Sequence, residues 1–206
     1  MKALLRRSLS TRRLQLAQRA FTVIGILALG YCLAVFLYSK LYQAREARKF
    51  AMERRPNPLA TTPSRAPAPV AVPQTGAVVG RLDIPRIGIS VMVVEGVKDR
   101  DLKRAAGHIP GTALPGEPGN VGIAAHRDTF FRPLRTIKQG DAITLSTLGG
   151  EYRYRVVSTR VVLPKDVQVL YPTGRDILTL VTCFPFDYVG FSPKRFIVRA
   201  DRLSGT

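Results

Sequence analysis

The stretch Thr179-Leu180-Val181-Thr182-Cys183 ends a run of apolar and β-branched residues on a cysteine. Residues of this type favour extended structure, so we expect Cys183 near the end of a β-strand. A second strand-like run, Arg195-Phe-Ile-Val-Arg-Ala200, begins with an arginine, and a third, Asn120-Val-Gly-Ile-Ala-Ala-His126, ends with a histidine. The sequence therefore predicts a thiol, a guanidinium and an imidazole at strand ends.

These three groups can support nucleophilic chemistry. A thiol near its unperturbed pKa is mostly protonated at neutral pH, so a reactive cysteine needs a neighbouring base or cation to supply thiolate. His126 and Arg195 are the candidates for that task. Each residue alone has a structural alternative, because an unpaired cysteine often serves as a small buried hydrophobe and a lone histidine or arginine is usually structural.

The charge distribution argues against a nucleic-acid-binding protein. The 206 residues carry a net charge of +18. Residues 1–55 hold 12 basic and 2 acidic side chains (+10), whereas residues 81–206 hold 19 basic and 12 acidic side chains (+7). More than half of the excess thus flanks one hydrophobic segment, as in membrane-anchored chains, and no nucleic-acid partner is expected.

That hydrophobic segment, residues 20–39, contains no charged residue. Twenty helical residues span roughly 30 Å, the thickness of the apolar bilayer core, so residues 20–39 are predicted to be a transmembrane anchor in the lipid bilayer. A buried core helix and a cleaved signal peptide are the alternatives. Residues 1–19 form a basic tail before it, and equal numbers of cations on the two sides leave the orientation open.

Residues 40–76 are interpreted as a basic juxtamembrane segment and a proline-rich linker, because six prolines fall between positions 56 and 73. Residues 77–206 then form one domain. The sequence of this domain predicts mainly β-structure, because it contains seven short runs rich in β-branched or aromatic residues. The predicted strands are Val78–Ile84, Ile87–Val94, Val121–Ala125, Ala142–Leu148, Tyr152–Val162, Ile177–Thr182 and Phe196–Ala200.

Two local signals complete the predicted domain. Gly149-Gly150 predicts a hairpin between the fourth and fifth runs. A short helix is predicted over Asp99–Ala106, with Asp99 near its N-cap and Gly107 just past its end. Many short strands of this kind favour a closed or nearly closed β-barrel.

The motifs resemble those of one family. Thr179-Leu-Val-Thr-Cys183 matches the Thr-Leu-x-Thr-Cys signature of the sortases, with Arg195 on the following strand and His126 in an Ala-His-Arg-Asp segment. The resemblance covers nearly all of residues 77–203. The segments 108–120 and 184–190 are most similar to class D sortases. The resemblance implies an eight-stranded β-barrel with short helices, so an eighth strand is expected within residues 107–119.

The resemblance also implies an activity and a location. Sortases are membrane-anchored cysteine transpeptidases that work outside the cytoplasmic membrane, so we expect a cytoplasmic N-terminus and an extracytoplasmic catalytic domain. Cys183 would attack the Thr carbonyl of a Leu-Pro-x-Thr sorting signal on a secreted protein and form a thioacyl enzyme. His126 would move the protons, and Arg195 would stabilise the oxyanion. The acceptor would be an amine of peptidoglycan or of another protein, and no cofactor is implied.

Further residues are expected near that site. Thr182, Tyr188 and Phe191 are candidate substrate contacts, with loop packing as the alternative for the two aromatic residues. Asp128 and His108 are candidates to orient the His126 imidazole, but adjacent loop residues such as Asp128 often point apart, and a structural role in a loop is favoured for His108. No metal site is predicted, because one cysteine outside the apolar segment and two histidines lack metal-ligand spacing and no dense acidic cluster occurs.

Two other functions fit parts of the sequence. One is a thiol peptidase of another type, which would share the thiolate chemistry but not the acceptor. The other is a membrane-tethered β-barrel that only binds a partner, with Cys183 filling the core. The reactivity of Cys183 distinguishes a thiol enzyme from a binding barrel, since a buried core thiol resists modification and an activated thiol does not.

Overall fold

The computed structural model describes residues 2–54, 73–188 and 190–203. The chain divides into two compact units, Met1–Leu41 and Tyr42–Thr206. Most of the proline-rich segment, and the residues at positions 189 and 204–206, lie outside the described residues.

Helix α1 (Lys2–Glu53) is the long N-terminal element. It contains no proline, and it is long and apolar enough from Leu14 onward to cross a membrane. Apolar side chains such as those of Phe21, Leu29 and Phe36 are exposed in the first unit. A helix that exposes apolar residues over this length is typical of a candidate membrane span rather than of a soluble core helix.

Eight strands form a closed barrel in the described part of the second unit. Their order around the barrel is β1-β2-β3-β4-β7-β8-β6-β5. β2 pairs with β3 and β4 pairs with β7 in parallel, and the other neighbours are antiparallel. The strands are β1 (Val78–Ile84), β2 (Ile89–Glu95), β3 (Ala106–His108), β4 (Asn120–Ala124), β5 (Ala142–Ser146), β6 (Glu151–Val162), β7 (Ile177–Phe184) and β8 (Lys194–Arg202).

The barrel interior is filled by alternate residues of the strands, as the two-residue side-chain period requires. β4 contributes Val121 and Ile123, Ala125 continues the pattern just past its end, and β7 contributes Leu178 and Leu180. Every second residue of these strands therefore projects outward, and this alternation decides which face each candidate site residue occupies.

The predicted eight-stranded barrel is confirmed, and the strand missing from the seven runs is β3. Its residues, Ala106–His108, carry little β-propensity, but Ala106 pairs with Val93 on one side and His108 pairs with Ile123 on the other. The prediction of a helix over Asp99–Ala106 was wrong at its C-terminal end. Helix α2 (Asp99–Leu102) stops four residues earlier, because the chain must extend to pair with β2.

The end of helix α1 belongs to the same compact unit as the barrel. Residues 42–53, which the sequence places in the linker region, are helical here. The Gln43 side chain accepts from the backbone N–H of Met92 (2.8 Å) and donates to the carbonyl of Arg104 (2.6 Å). Phe50 is buried. Gln43 thus satisfies a backbone donor of β2 just before that strand begins to pair with β3 at Val93.

Candidate active site

Cys183 and Arg195 lie on adjacent strands, and His126 lies two residues past the end of the neighbouring strand β4; the three residues are called the row below. Antiparallel pairing of β7 with β8 puts Cys183 directly opposite Arg195. In the parallel pairing of β4 with β7, Asn120 matches Ile177 and Ala124 matches Val181, a constant offset of 57 positions. Extended two residues past the end of β4, this offset brings His126 level with Cys183. The backbone N–H of Ala125 continues this ladder past the last residue of β4 by donating to the carbonyl of Val181 (3.2 Å).

All three residues are on the outer face of the barrel. Their immediate neighbours Ala125 and Thr182 are buried, and Phe196 packs against the core. Because side chains alternate between the two faces of a strand, His126, Cys183 and Arg195 project to the opposite side. Cys183 and Arg195 are half-buried, and the His126 side chain is 37% exposed. The row is accordingly open to a ligand.

Thr182 ties the cysteine strand to the histidine segment. Its hydroxyl is buried and donates to the carbonyl of Ala125 (2.8 Å). This bond joins the residue before Cys183 to the residue before His126. It therefore fixes the spacing of the two strands at the point where the thiol and the imidazole emerge.

The Arg195 guanidinium is held at one end. Nη1 donates to the carbonyls of Ser192 (3.1 Å) and Lys194 (3.0 Å). Nε and Nη2 have no hydrogen-bond partner among the described residues. A planar guanidinium anchored in this way can offer its other donors to a carbonyl that gains negative charge.

The carboxylate nearest His126 is contributed by helix α2. Asp99 Oδ1 lies 3.8 Å from His126 Nε2. Lys103 Nζ approaches Oδ2 of the same carboxylate at 2.7 Å. The hydrogen bond from Lys103 lowers the pKa of Asp99, and the positive charges of Lys103 and His126 act in the same direction. Asp99 is therefore an ionised neighbour of the imidazole, although its exposure weakens the interaction.

A sortase domain family matches residues 82–203, which contain the whole row and seven complete strands of the barrel. This match covers more than half of the chain. The chain belongs to the sortase family. The resemblance predicted from the Thr-Leu-Val-Thr-Cys stretch is thereby confirmed.

Individual relatives support this assignment. Over 133 residues the chain is 36% identical to Sortase D of Bacillus subtilis, with 64% of this chain and 67% of the relative covered. Sortase C-1 of Actinomyces oris has a similar structure, with a TM-score of 0.58, 32% identity, and coverage of 62% of this chain and 75% of that one. A Clostridium perfringens Sortase D5 transpeptidase superposes with a TM-score of 0.64 at 26% identity, covering 81% and 99%.

In this sortase, the two residues suggested to orient the His126 imidazole lie away from its contact with Asp99. Asp128 is exposed, and its carboxylate pairs with Arg127 Nε at 3.3 Å. His108 is inside the barrel, where Nδ1 lies 2.7 Å from Glu95 Oε2 and Nε2 donates to the carbonyl of Ala113 (3.0 Å). Because a carbonyl can only accept, Nε2 of His108 carries a proton. His108 thus anchors the segment that leads into β4.

The suggested substrate contacts Tyr188 and Phe191 lie in the connection between β7 and β8. Both are exposed, and Phe191 is fully so. At the start of this connection, the rings of Phe184, Phe186 and Phe196 pack together with centroids 5.3–6.3 Å apart. The connection therefore has a packed base and an exposed aromatic tip beside the row.

Two residues near the row were not predicted from the sequence to belong to the site. Asp99 is 27 positions before His126, and no spacing rule links them. Arg127 is adjacent to His126 in the Ala-His-Arg-Asp segment, yet an arginine after a histidine is an ordinary surface pattern. Its side chain is in fact 6% exposed. Among the described residues, no group of three or more His, Cys, Asp or Glu side chains is arranged to hold a metal ion.

Proposed function

We propose that this sortase is a membrane-anchored cysteine transpeptidase that cleaves Leu-Pro-x-Thr sorting signals through a thioacyl enzyme. The observation that carries the proposal is the row of Cys183, His126 and Arg195 on one open face of the barrel. Membership of the sortase family supports this reading over a thiol peptidase of another fold or a barrel that only binds a partner.

In the first half of the reaction the Cys183 thiolate attacks the carbonyl carbon of the substrate Thr. The carbonyl electrons move onto oxygen, and Arg195 stabilises the resulting oxyanion through the donors that its backbone contacts leave available. Protonated His126 gives its proton to the departing amine as the peptide bond breaks. The products are a thioester on Cys183 and a released peptide with a free amino terminus.

In the second half an acceptor amine attacks the thioester carbonyl. Neutral His126 takes the proton from the attacking nitrogen, and the Cys183 thiolate leaves as the tetrahedral intermediate collapses. The sorted protein is then joined by an amide bond to peptidoglycan or to an amine of another protein. His126 and Cys183 return to their starting charges, so the cycle balances without a cofactor.

Helix α1 supports a membrane location for this sortase. We assign residues 20–39 as the anchor, residues 1–19 as a cytoplasmic tail and residues 77–206 as the extracytoplasmic catalytic domain, with residues 40–76 between them. Protease added to intact spheroplasts tests this topology. Digestion of the N-terminal tail with protection of the barrel would reject it.

The activity is tested with the full-length chain in detergent micelles. Leu-Pro-x-Thr peptides are incubated with and without an added amine, and products are followed by mass spectrometry. We expect a thioacyl adduct on Cys183, no adduct in Cys183→Ala, and loss of nearly all turnover in His126→Ala. Wild-type turnover by folded Cys183→Ala would reject the proposal and favour a non-catalytic barrel.

A further inference from the structure

Arg127, the residue after His126, reaches across to the connection between β7 and β8. Nη1 donates to the carbonyl of Pro185 (2.9 Å) and to the hydroxyl of Ser192. Nη2 donates to the carbonyl of Gly190 (3.2 Å) and to that of Tyr188. The guanidinium carbon also lies 5.9 Å from the centre of the Tyr188 ring. One buried side chain thus holds four points of the connection.

This arrangement requires an arginine. Taking a charged group out of water is costly unless its donors are satisfied, and here four acceptors of the connection and the Asp128 carboxylate surround a side chain that is only 6% exposed. A guanidinium offers five donors in a fixed plane, whereas a lysine ammonium is a compact group with three donors. A lysine would keep the positive charge but could not make the four contacts.

Ser192 links Arg127 to the candidate catalytic arginine. Its hydroxyl accepts from Arg127 Nη1, while its backbone carbonyl accepts from Arg195 Nη1 (3.1 Å). The two guanidinium groups are therefore joined through a single residue. A shift of Ser192 would displace one of the two backbone oxygens that orient Arg195.

The residue on the other side of His126 is fixed to the same hairpin. The N–H of Ala125 donates to the carbonyl of Val181 (3.2 Å), and the carbonyl of Ala125 accepts from Thr182 (2.8 Å). His126 thus lies between two anchored residues. Ala125 is hydrogen-bonded to β7, and Arg127 is hydrogen-bonded to the connection that follows β7. Both anchors belong to the hairpin that carries Cys183 and Arg195.

We infer that Arg127 is a positioning residue for catalysis: through Ser192 and the carbonyls of the β7–β8 connection, it fixes Arg195 in relation to His126. This role deepens the proposed function and rests on it, because it presumes that Arg195 stabilises the reacting carbonyl. Arg127 does not touch the substrate. It acts by keeping the connection, and with it the oxyanion donor, in the reactive arrangement.

Arg127→Lys and Ser192→Ala test this inference in the full-length chain in detergent micelles. Each variant is assayed for kcat and KM on a Leu-Pro-x-Thr peptide, for thermal unfolding, and for chymotrypsin cleavage after Tyr188 or Phe191. We expect kcat to fall about 10- to 100-fold in Arg127→Lys, because small displacements of catalytic groups carry penalties of this size. KM should change less than kcat, and cleavage of the connection should accelerate in the folded protein.

Arg135→Met is the matched control. Arg135 also contacts the connection, but through one exposed ion pair with Asp187 at 3.5 Å. Because such pairs contribute little, kcat and the cleavage rate should stay at wild-type values. Equal losses in Arg135→Met and Arg127→Lys would mean that any contact with the connection matters, and the specific role of Arg127 would be rejected.

A double-mutant comparison separates positioning from general stability. If Ser192 acts through Arg195, Ser192→Ala should lower kcat in the wild-type background but not in the Arg195→Met background, where the oriented group is gone. An equal loss in both backgrounds, or wild-type kcat in both Arg127→Lys and Ser192→Ala, would overturn the inference. Failure of the proposed function itself would appear separately, as activity that survives in Cys183→Ala.

Discussion

Replacement of Thr182 by valine distinguishes a structural tie from a substrate contact. Valine has nearly the shape of threonine, so Thr182→Val removes the hydroxyl without opening a large cavity. The lost bond is the 2.8 Å contact to the carbonyl of Ala125. Both residues are buried, at 2% and 5% exposure, so water cannot easily replace the missing donor.

The expected loss of stability follows from that geometry. Leaving a buried carbonyl without its donor costs about 1–3 kcal/mol. For a unit of this size, each kcal/mol lowers Tm by about 2–4 °C, so thermal unfolding should shift down by about 2–12 °C. We also expect kcat to fall about 10-fold, since the bond sets the spacing between the segments that carry Cys183 and His126.

Thr179→Val is the control on the same strand. The Thr179 hydroxyl is equally buried and donates to Asn120 Oδ1 (2.7 Å), four residues away from Cys183 along β7. It should destabilise the barrel by a similar amount and leave kcat unchanged. The reasoning is refuted if Thr182→Val keeps wild-type stability, or if it raises KM while kcat stays constant, since that pattern indicates direct substrate binding.

Three further predictions concern stability and rate. Arg86 Nη2 donates to Asp141 (2.6 Å), and this hydrogen bonding lowers the pKa of the Asp141 carboxyl. The pair therefore stabilises the fold at pH values above the unfolded-state pKa of about 4. This stabilisation is lost as the pH falls through the lower pKa of Asp141 in the folded state. Asp141→Asn should therefore lower the urea midpoint at pH 7, with a difference from wild type that shrinks as the pH falls below about 4; a constant difference would contradict this. Arg195→Lys should reduce kcat about 100-fold in the peptide assay with little change in Tm, because an ammonium loses the planar fork, and near-normal turnover would argue against oxyanion stabilisation by the fork. A fragment beginning at residue 75 should be less stable in urea than one beginning at residue 42 by about 2–4 kcal/mol, since it lacks the contacts of Gln43 and the burial of Phe50; equal midpoints would show that the end of helix α1 adds nothing.

The elements with strong local patterns could be predicted from the sequence. β1 was predicted with the observed bounds, and the runs around Val121, Tyr152 and Ile177 were located to within a few residues, because β-branched and aromatic residues alternate there between the core and the surface. β3 could not be found in this way. Its Ala-Gly-His sequence has weak propensity, and it is extended because two neighbouring strands pair with it.

The three residues of the candidate site could be predicted from the sequence, but the residues that hold them in place could not. Strand-end positions for Cys183, His126 and Arg195 follow from local sequence, whereas the offset of 57 that aligns β4 with β7 is a property of the folded barrel. The same limit applies to Asp99 and Arg127. Their contacts join segments that are far apart in the chain, and a single sequence gives no signal for such pairs.

The parallel pairing of β4 with β7 also affects when the site can exist during folding. Bringing together residues 57 positions apart requires closure of a long loop, and contacts of such high sequence separation form slowly. Until this closure occurs, the His126 imidazole is not held beside the thiol, whereas Arg195 is only 12 positions from Cys183 on the next strand. Under the proposed function, a newly synthesised chain therefore lacks the imidazole that the thiol requires, and the reactive arrangement exists only once the barrel is complete.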